Sequence, residues 1–300
     1  MNIEAISGFE LLARQVVEGF ITGMHKSPFH GFSVEFAEHR LYNNGESTRH
    51  IDWKMYAKTE KLFVKRYEEE TNLRCYILMD TSMSMHFENK FRFACEAAAC
   101  LIYLIAKQRD VAGLTFFDKE TLEQTELKSS VAHQKYLFGL LDKYDEMSNV
   151  GNRPATSVVN HKGIAEILDE LAEQIHKRSM VIIFSDMFDD FAQSERLFSA
   201  LQHLKFKQND VILFHTAVKD KEIEFNYNNR PYRFIDLENN KELKINPETV
   251  RNAYQNKMKQ YQQELKYRCQ QYGIDYVRAY TDEGFYQILT TFLLARMKRK

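Results

Sequence analysis

The chain has 300 residues, 44% of them hydrophobic, which is enough to bury one substantial core and a smaller accessory unit. Its 41 lysines and arginines nearly balance 42 aspartates and glutamates, so no excess of positive charge indicates a nucleic-acid binder. No segment is long and apolar enough to span a membrane, and none has the pattern of a secretion signal, so we expect a cytoplasmic protein.

The first quarter of the chain divides into a helix and a strand-rich segment. Apolar residues recur at helical spacing over residues 3–24, which predicts a helix before the turn signal Ser27-Pro28. Short alternating segments from Phe32 to Glu70 predict a small β-rich unit, and we expect Trp53 to pack in its core. The predicted divisions are an N-terminal helix (1–30), an accessory module (31–72) and a larger domain (73–300).

Strand and helix patterns alternate through the larger domain. Continuous apolar runs such as LRCYILMD and SMVIIFSD predict buried strands, and segments such as KFRFACEAAACLIYLIAKQ predict helices. This alternation predicts an α/β fold with a doubly wound, mostly parallel sheet and helices on both faces. The phosphate-binding loops GxxxxGK[ST] and GxGxxG do not occur in the sequence, and neither does the nucleophile motif GxSxG.

Two of the predicted strands end in an aspartate, Asp80 after YILM and Asp186 after VIIFS. Ligands of doubly wound sheets bind outside the carboxyl ends of the strands, so we expect both carboxylates to face one crevice. Ser82 and Ser84 follow at alternate positions and can point the same way. Carboxylates and hydroxyls are ligands that Mg²⁺ or Mn²⁺ accepts, which predicts a metal site with a position open to an acidic side chain of a partner.

The same residues also have a purely structural interpretation. Ser and Asp are favoured just ahead of a helix, and the pattern predicts that a helix begins near Asn89. One Asp-x-Ser-x-Ser segment alone would fit such a capping role. The second aspartate, at the end of another strand, favours the metal site.

The Asp-x-Ser-x-Ser segment followed by the second aspartate resembles the metal-ion-dependent adhesion site of von Willebrand factor A domains. More closely, Gly31–Glu70 followed by that site resembles the family known as domain of unknown function 58. Its members resemble partners of MoxR-type AAA+ ATPases. The resemblance implies a Rossmann-like, von Willebrand A-like domain and a non-enzymatic adaptor that binds a MoxR-type AAA+ ATPase through the metal site.

The resemblance further implies a threonine ligand on a third loop. Thr156 is the candidate, but Lys162 lies nearer the expected position, where an ammonium would compete with a cation. A scaffold with a degenerate, metal-free site is therefore an alternative. A Mg²⁺-dependent phosphatase of the haloacid-dehalogenase type is another, although its general acid would fall at Ser82, which has no carboxyl group.

Overall fold

The structure is a computed structural model, and it describes residues 7–23, 36–42, 53–67, 73–150, 162–188, 194–235 and 242–298. The chain forms two compact units, one of residues 1–25 and 74–300 and one of residues 26–73. The elements in chain order are α1 (Gly8–Gly23), β1 (Phe36–Leu41), α2 (Trp53–Thr59), β2 (Phe63–Tyr67), β3 (Arg74–Asp80), α3 (Lys90–Lys107), β4 (Val111–Phe117), β5 (Thr121–Gln124), α4 (Val131–Val150), α5 (Ile164–Gln174), β6 (Met180–Ser185), α6 (Ser194–Phe206), β7 (Asp210–Ala217), β8 (Tyr232–Ile235), β9 (Glu242–Ile245), α7 (Pro247–Gln271), β10 (Asp275–Tyr280) and α8 (Phe285–Lys298).

The smaller unit contains an antiparallel pair of strands, β1 and β2, with the short helix α2 between them in sequence. The prediction that Trp53 packs in a core is wrong, because 62% of its surface is exposed. Trp53 is the first residue of α2, and this helix buries none of its residues, so it provides no core for the indole. The ring instead contacts Tyr56 edge to face, with 6.2 Å between the centroids.

Six strands of the larger unit form one sheet in the order β10-β7-β6-β3-β4-β5, in which β5 alone is antiparallel to its neighbour. The chain runs from β3 outward to β5, returns to β6 on the other side of β3, and continues through β7 to β10. This doubly wound order confirms the predicted α/β class with a mostly parallel sheet. In doubly wound sheets a ligand crevice is expected at the carboxyl ends of the strands where the order reverses, and here that point lies between β3 and β6.

Helices cover both faces of this sheet, which explains the continuous apolar runs of its strands. On one face α5, α6 and α7 join the core through residues such as Leu168, Leu201 and Leu265. On the other face Phe214 of β7 contacts Phe285 of α8, and α3 packs against α1, α4 and α8. Among the described residues, no helix combines the length and the apolar character that crossing a membrane requires.

Candidate functional site

Asp80 is the last residue of β3 and lies at the crevice, with only 4% of its surface exposed. One carboxylate oxygen, Oδ1, accepts a hydrogen bond from the amide of Ser82 at 2.8 Å. The other, Oδ2, accepts one from the hydroxyl of Ser185 at 2.5 Å. Ser185 ends β6, so this second bond joins the carboxyl ends of the two neighbouring strands.

Ser82 and Ser84 stand side by side on the loop after β3, with 3.0 Å between their hydroxyl oxygens. Both residues are half-buried, so a ligand can reach them from solvent. The loop itself is firmly held, because the amide and the hydroxyl of Thr81 both donate to the carbonyl of Phe117 at the end of β4. The two hydroxyls are therefore presented by a fixed backbone.

Asp186 directly follows β6 and is 1% exposed. Its Oδ2 accepts a hydrogen bond from the ammonium of Lys90 at 2.7 Å, and its Oδ1 accepts one from the amide of Phe188 at 3.1 Å. The Lys90 ammonium also donates to Oε1 of Glu222 at 2.5 Å. Lys90 is fully buried, so Lys90, Asp186 and Glu222 form an internal ionic cluster, which we call the Lys90 triad.

Further hydrogen bonds fix the acidic members of the Lys90 triad. Glu222 accepts a second bond, at Oε2, from the amide of Val218 at 2.7 Å. The carbonyl of Asp186 accepts a bond from Nε2 of His215 at 2.9 Å, and Nδ1 of His215 accepts one from the hydroxyl of Tyr276 at 2.8 Å. Burial lowers the pKa of His215 to about 4, so this imidazole is neutral near pH 7 and can serve both partners.

The two aspartates of the crevice differ in their electrostatic balance. Burial, reinforced by the negative charge of Asp186, raises the pKa of Asp80 to about 7, against the opposing effect of the bonds from Ser185 and Ser82. Burial acts to lower the pKa of Lys90, but Asp186 and Glu222 together raise it above its usual value. Within the described residues, Asp80 is thus the carboxylate of this site that forms no salt bridge.

The donor set fits a hard divalent cation at Asp80, Ser82 and Ser84. A buried carboxylate with a raised pKa is one that an added positive charge would stabilise, and two reachable hydroxyls stand on the same loop. At Asp186, in contrast, the ammonium of Lys90 already neutralises the carboxylate, whereas the groups that bind the carboxylate of Asp80 are an amide and a hydroxyl without charge. In the part of the chain that the structure describes, no three His, Cys, Asp or Glu side chains are grouped as metal ligands, so an ion here depends on hydroxyl donors.

The structure places four of the five sequence-predicted ligands. Asp80, Ser82 and Ser84 lie on one loop, Asp186 lies at the end of the adjacent strand, and Thr156 lies outside the described residues. Lys162 is described, and its ammonium binds Glu170 of α5 at 2.6 Å on a partly exposed surface. The ammonium in contact with a crevice carboxylate is that of Lys90.

Sequence reasoning missed Lys90 and Glu222. The sequence pattern does place Lys90 on the buried face of α3. Buried residues recur at helical spacing along this face, at Lys90, Ala94, Ala97 and Leu101. A lysine on an apolar stripe needs an internal partner. Glu222 lies in the short polar turn Lys219–Ile223, where nothing in the local pattern distinguishes it from a solvated acid.

Comparison with known proteins gives one family. The profile described as "Protein of unknown function DUF58" matches residues 38–264. The uncharacterized proteins Rv1480 of Mycobacterium tuberculosis and Mb1516 of Mycobacterium bovis are each 23% identical to this chain over 186 residues, which are 61% of this chain and 56% of theirs. The match thus spans little more than half the length of these curated relatives.

Two solved structures match this chain with low TM-scores. One is the conserved hypothetical protein BatB from Bacteroides thetaiotaomicron, with a TM-score of 0.42, and the other is an aerotolerance-related membrane protein from Bacteroides fragilis carrying multiple mutations to serines, with a TM-score of 0.41. Each is 11% identical to this chain, and each match covers 76% of this chain and 100% of the other.

Proposed function

This chain belongs to the DUF58 family of unknown function, and we propose that it is a non-enzymatic adaptor with a von Willebrand A-like domain. The observation that carries the proposal is the placement of Asp80, Ser82 and Ser84 on one reachable loop at the switch point of the sheet. These residues would hold Mg²⁺ or Mn²⁺, and the ion would supply a coordination position for a carboxylate of the partner. The chain would contribute the shape and charge around that position.

We propose a MoxR-type AAA+ ATPase as the partner. The resemblance of the Asp-x-Ser-x-Ser loop and its preceding segment to proteins that accompany such ATPases supports this choice. An acidic side chain on the ATPase is the group that a divalent ion on a hydroxyl-rich loop favours. The cytoplasmic location stays a prediction.

The contacts in the crevice favour binding over catalysis. Ser82 occupies the position where a haloacid-dehalogenase phosphatase needs a carboxylic acid, and a hydroxyl is far too weak an acid for that proton transfer. The Lys90 ammonium, buried between two carboxylates, has no exposed charge to offer a phosphate group. These features support the proposal of an adaptor without a chemical reaction of its own.

The test measures binding of the purified chain to the MoxR-type ATPase of the same organism. The double variant Ser82→Ala/Ser84→Ala removes two hydroxyls of half-buried residues that bind each other, so the fold should persist. We expect this change, or a chelator added to the wild type, to raise Kd about tenfold or more, which corresponds to about 1.4 kcal/mol.

Ser129→Ala is the matched control, because Ser129 is an exposed serine ahead of α4. It should bind as the wild type does, with and without Mg²⁺. Unchanged affinity of the double variant would contradict the proposal that the loop after β3 is the binding site.

A further inference from the structure

We infer that Lys90 is a built-in cation for Asp186 and withdraws this carboxylate from any divalent-metal site at the strand ends. An ion at this edge of the sheet is then held by Asp80, Ser82 and Ser84, all on the loop after β3, without a ligand from β6. The inference rests on the proposed function, because it defines which residues form its metal site. It departs from the ligand set that the resemblance to von Willebrand A domains implies.

The contacts of Asp186 carry the inference. Its Oδ2 binds the Lys90 ammonium at 2.7 Å, its Oδ1 binds the amide of Phe188 at 3.1 Å, and its carbonyl binds His215 at 2.9 Å. The first of these is as short as a charge-assisted hydrogen bond between ions. The carboxylate of Asp186 is therefore already neutralised and oriented by the protein.

The ammonium of Lys90 also binds partners inside the protein. Two of them reach Asp186 and Glu222, at 2.7 and 2.5 Å, and the ammonium lies 5.4 Å from the centre of the Phe188 ring, within range of a cation–π contact. A fully buried ammonium is stable only while it keeps such partners. Moving Lys90 away to admit a metal at Asp186 would leave an unpaired charge inside the fold.

The backbone ahead of α3 sets this lysine in place. Glu88 and Asn89 have φ angles of 47° and 62°, in the left-handed region, so the chain turns sharply before the helix begins at Lys90. The turn puts the first residue of α3 on the buried stripe of that helix. The backbone thus fixes the position of the ammonium inside the fold, and this ammonium is not a mobile surface charge.

A second cation cannot share Asp186 with Lys90 at contact distance, because like charges a few ångströms apart repel strongly in a buried site. Lysine and divalent metal are therefore alternatives at this carboxylate. Replacing the lysine by an apolar residue leaves Asp186 and Glu222 without their cation. That pair of carboxylates would then attract Mg²⁺ or Mn²⁺.

The first experiment measures the affinity of the full chain for Mn²⁺ by calorimetry, comparing the variants Asp80→Asn, Asp186→Asn and Glu222→Gln. We expect Asp80→Asn to weaken binding about tenfold or more, because loss of a ligand should cost at least as much as the roughly tenfold loss that follows a change in the groups around a ligand. Asp186→Asn should weaken Mn²⁺ binding no more than Glu222→Gln does. Glu222→Gln likewise removes one negative charge from beside Lys90, but it changes no residue at either strand end. An Asp186→Asn loss as large as that of Asp80→Asn overturns the inference.

The second experiment measures thermal stability with and without Mn²⁺. Lys90→Met should melt lower than the wild type in chelator, and Mn²⁺ should raise its Tm by more than it raises that of the wild type. The additional rise should vanish in Lys90→Met/Asp186→Asn. Lys128→Met is the control, because Lys128 binds Glu126 at 2.6 Å but is 56% exposed, so its loss should create no new response.

The outcomes separate the inference from the proposed function. If the wild type does not bind Mn²⁺ but Lys90→Met does, the proposed metal site fails and the inference stands. If the wild type binds Mn²⁺ and Asp186→Asn abolishes binding, the inference fails and the proposed site stands. If Lys90→Met does not fold, the comparison of Asp186→Asn with Glu222→Gln decides whether Asp186 is a metal ligand. If neither the wild type nor a folded Lys90→Met binds Mn²⁺, both the inference and the proposed metal site are overturned.

Discussion

Asp80 and Asp186 are buried at neighbouring strand ends but are stabilised in different ways. Asp186 has the Lys90 ammonium at 2.7 Å, whereas Asp80 has hydrogen bonds from Ser82 and Ser185. Neutral donors offset less of the cost of burying a charge than an ammonium does. Asp80 is therefore the residue that gains most from a proton or from an added cation.

A pH dependence of stability follows from Asp80. Its pKa rises from 3.8 to about 7 on folding, so the folded state binds more protons between these values. The stabilisation that this extra proton gives is complete below the unfolded pKa and is lost as the pH rises through about 7. In chelator, Asp80→Asn should therefore become more stable relative to the wild type as the pH rises from about 5 to about 8. The difference in the free energy of unfolding should change by on the order of 1–3 kcal/mol over this range.

Urea unfolding of both proteins at a series of pH values measures this difference. His215 titrates in the same range but is present in both proteins, so its contribution cancels. A difference in unfolding free energy that does not change with pH would show that Asp80 does not titrate as described.

At the level of the elements, α7 braces both segments that carry the acids of the Lys90 triad. The hydroxyl of Tyr261 donates to the carbonyl of Met187, next to Asp186, and the hydroxyl of Tyr254 donates to the carbonyl of Glu222 at 2.9 Å. A single helix therefore fixes the loop after β6 and the turn after β7 relative to each other. The Lys90 triad depends on this support although α7 supplies no member of it.

Tyr261→Phe tests this bracing. The change leaves the buried carbonyl of Met187 without its hydroxyl donor, which should lower the free energy of unfolding by about 1–2 kcal/mol. Tyr267→Phe is the control on the same helix, because Tyr267 is 65% exposed, and it should change stability little. Chemical denaturation measures both, and an equal effect of the two changes would contradict the bracing role.

Elements with a strong pattern were predicted well, and weakly patterned ones were not. The helix predicted at KFRFACEAAACLIYLIAKQ has the bounds Lys90–Lys107, one residue short of its expected end, and the strand predicted at LRCYILMD has the bounds Arg74–Asp80. Strand β5 was missed, because TLEQ is four residues long, half-exposed and without an apolar run. The position of β5 depends on its pairing with β4, and no local sequence pattern predicts this pairing.

At the scale of the whole molecule, the winding of the sheet explains which part of the site was predictable. A doubly wound order brings the ends of β3 and β6 together, so Asp80 and Asp186 could be paired from sequence alone. Lys90 and Glu222 meet across 132 positions of chain, through a turn whose path the sequence pattern does not reveal. The strand-end acids follow from topology, whereas the lysine that neutralises one of them follows from packing.

The most direct test of the account is the Tm of the wild type and of Asp80→Ala, each in chelator and in excess Mg²⁺. A ligand that binds only the folded state raises its stability, so Mg²⁺ should raise the wild-type Tm and leave that of Asp80→Ala unchanged. An equal response of the two proteins, or no response of the wild type, would contradict a divalent-metal site at Asp80, Ser82 and Ser84.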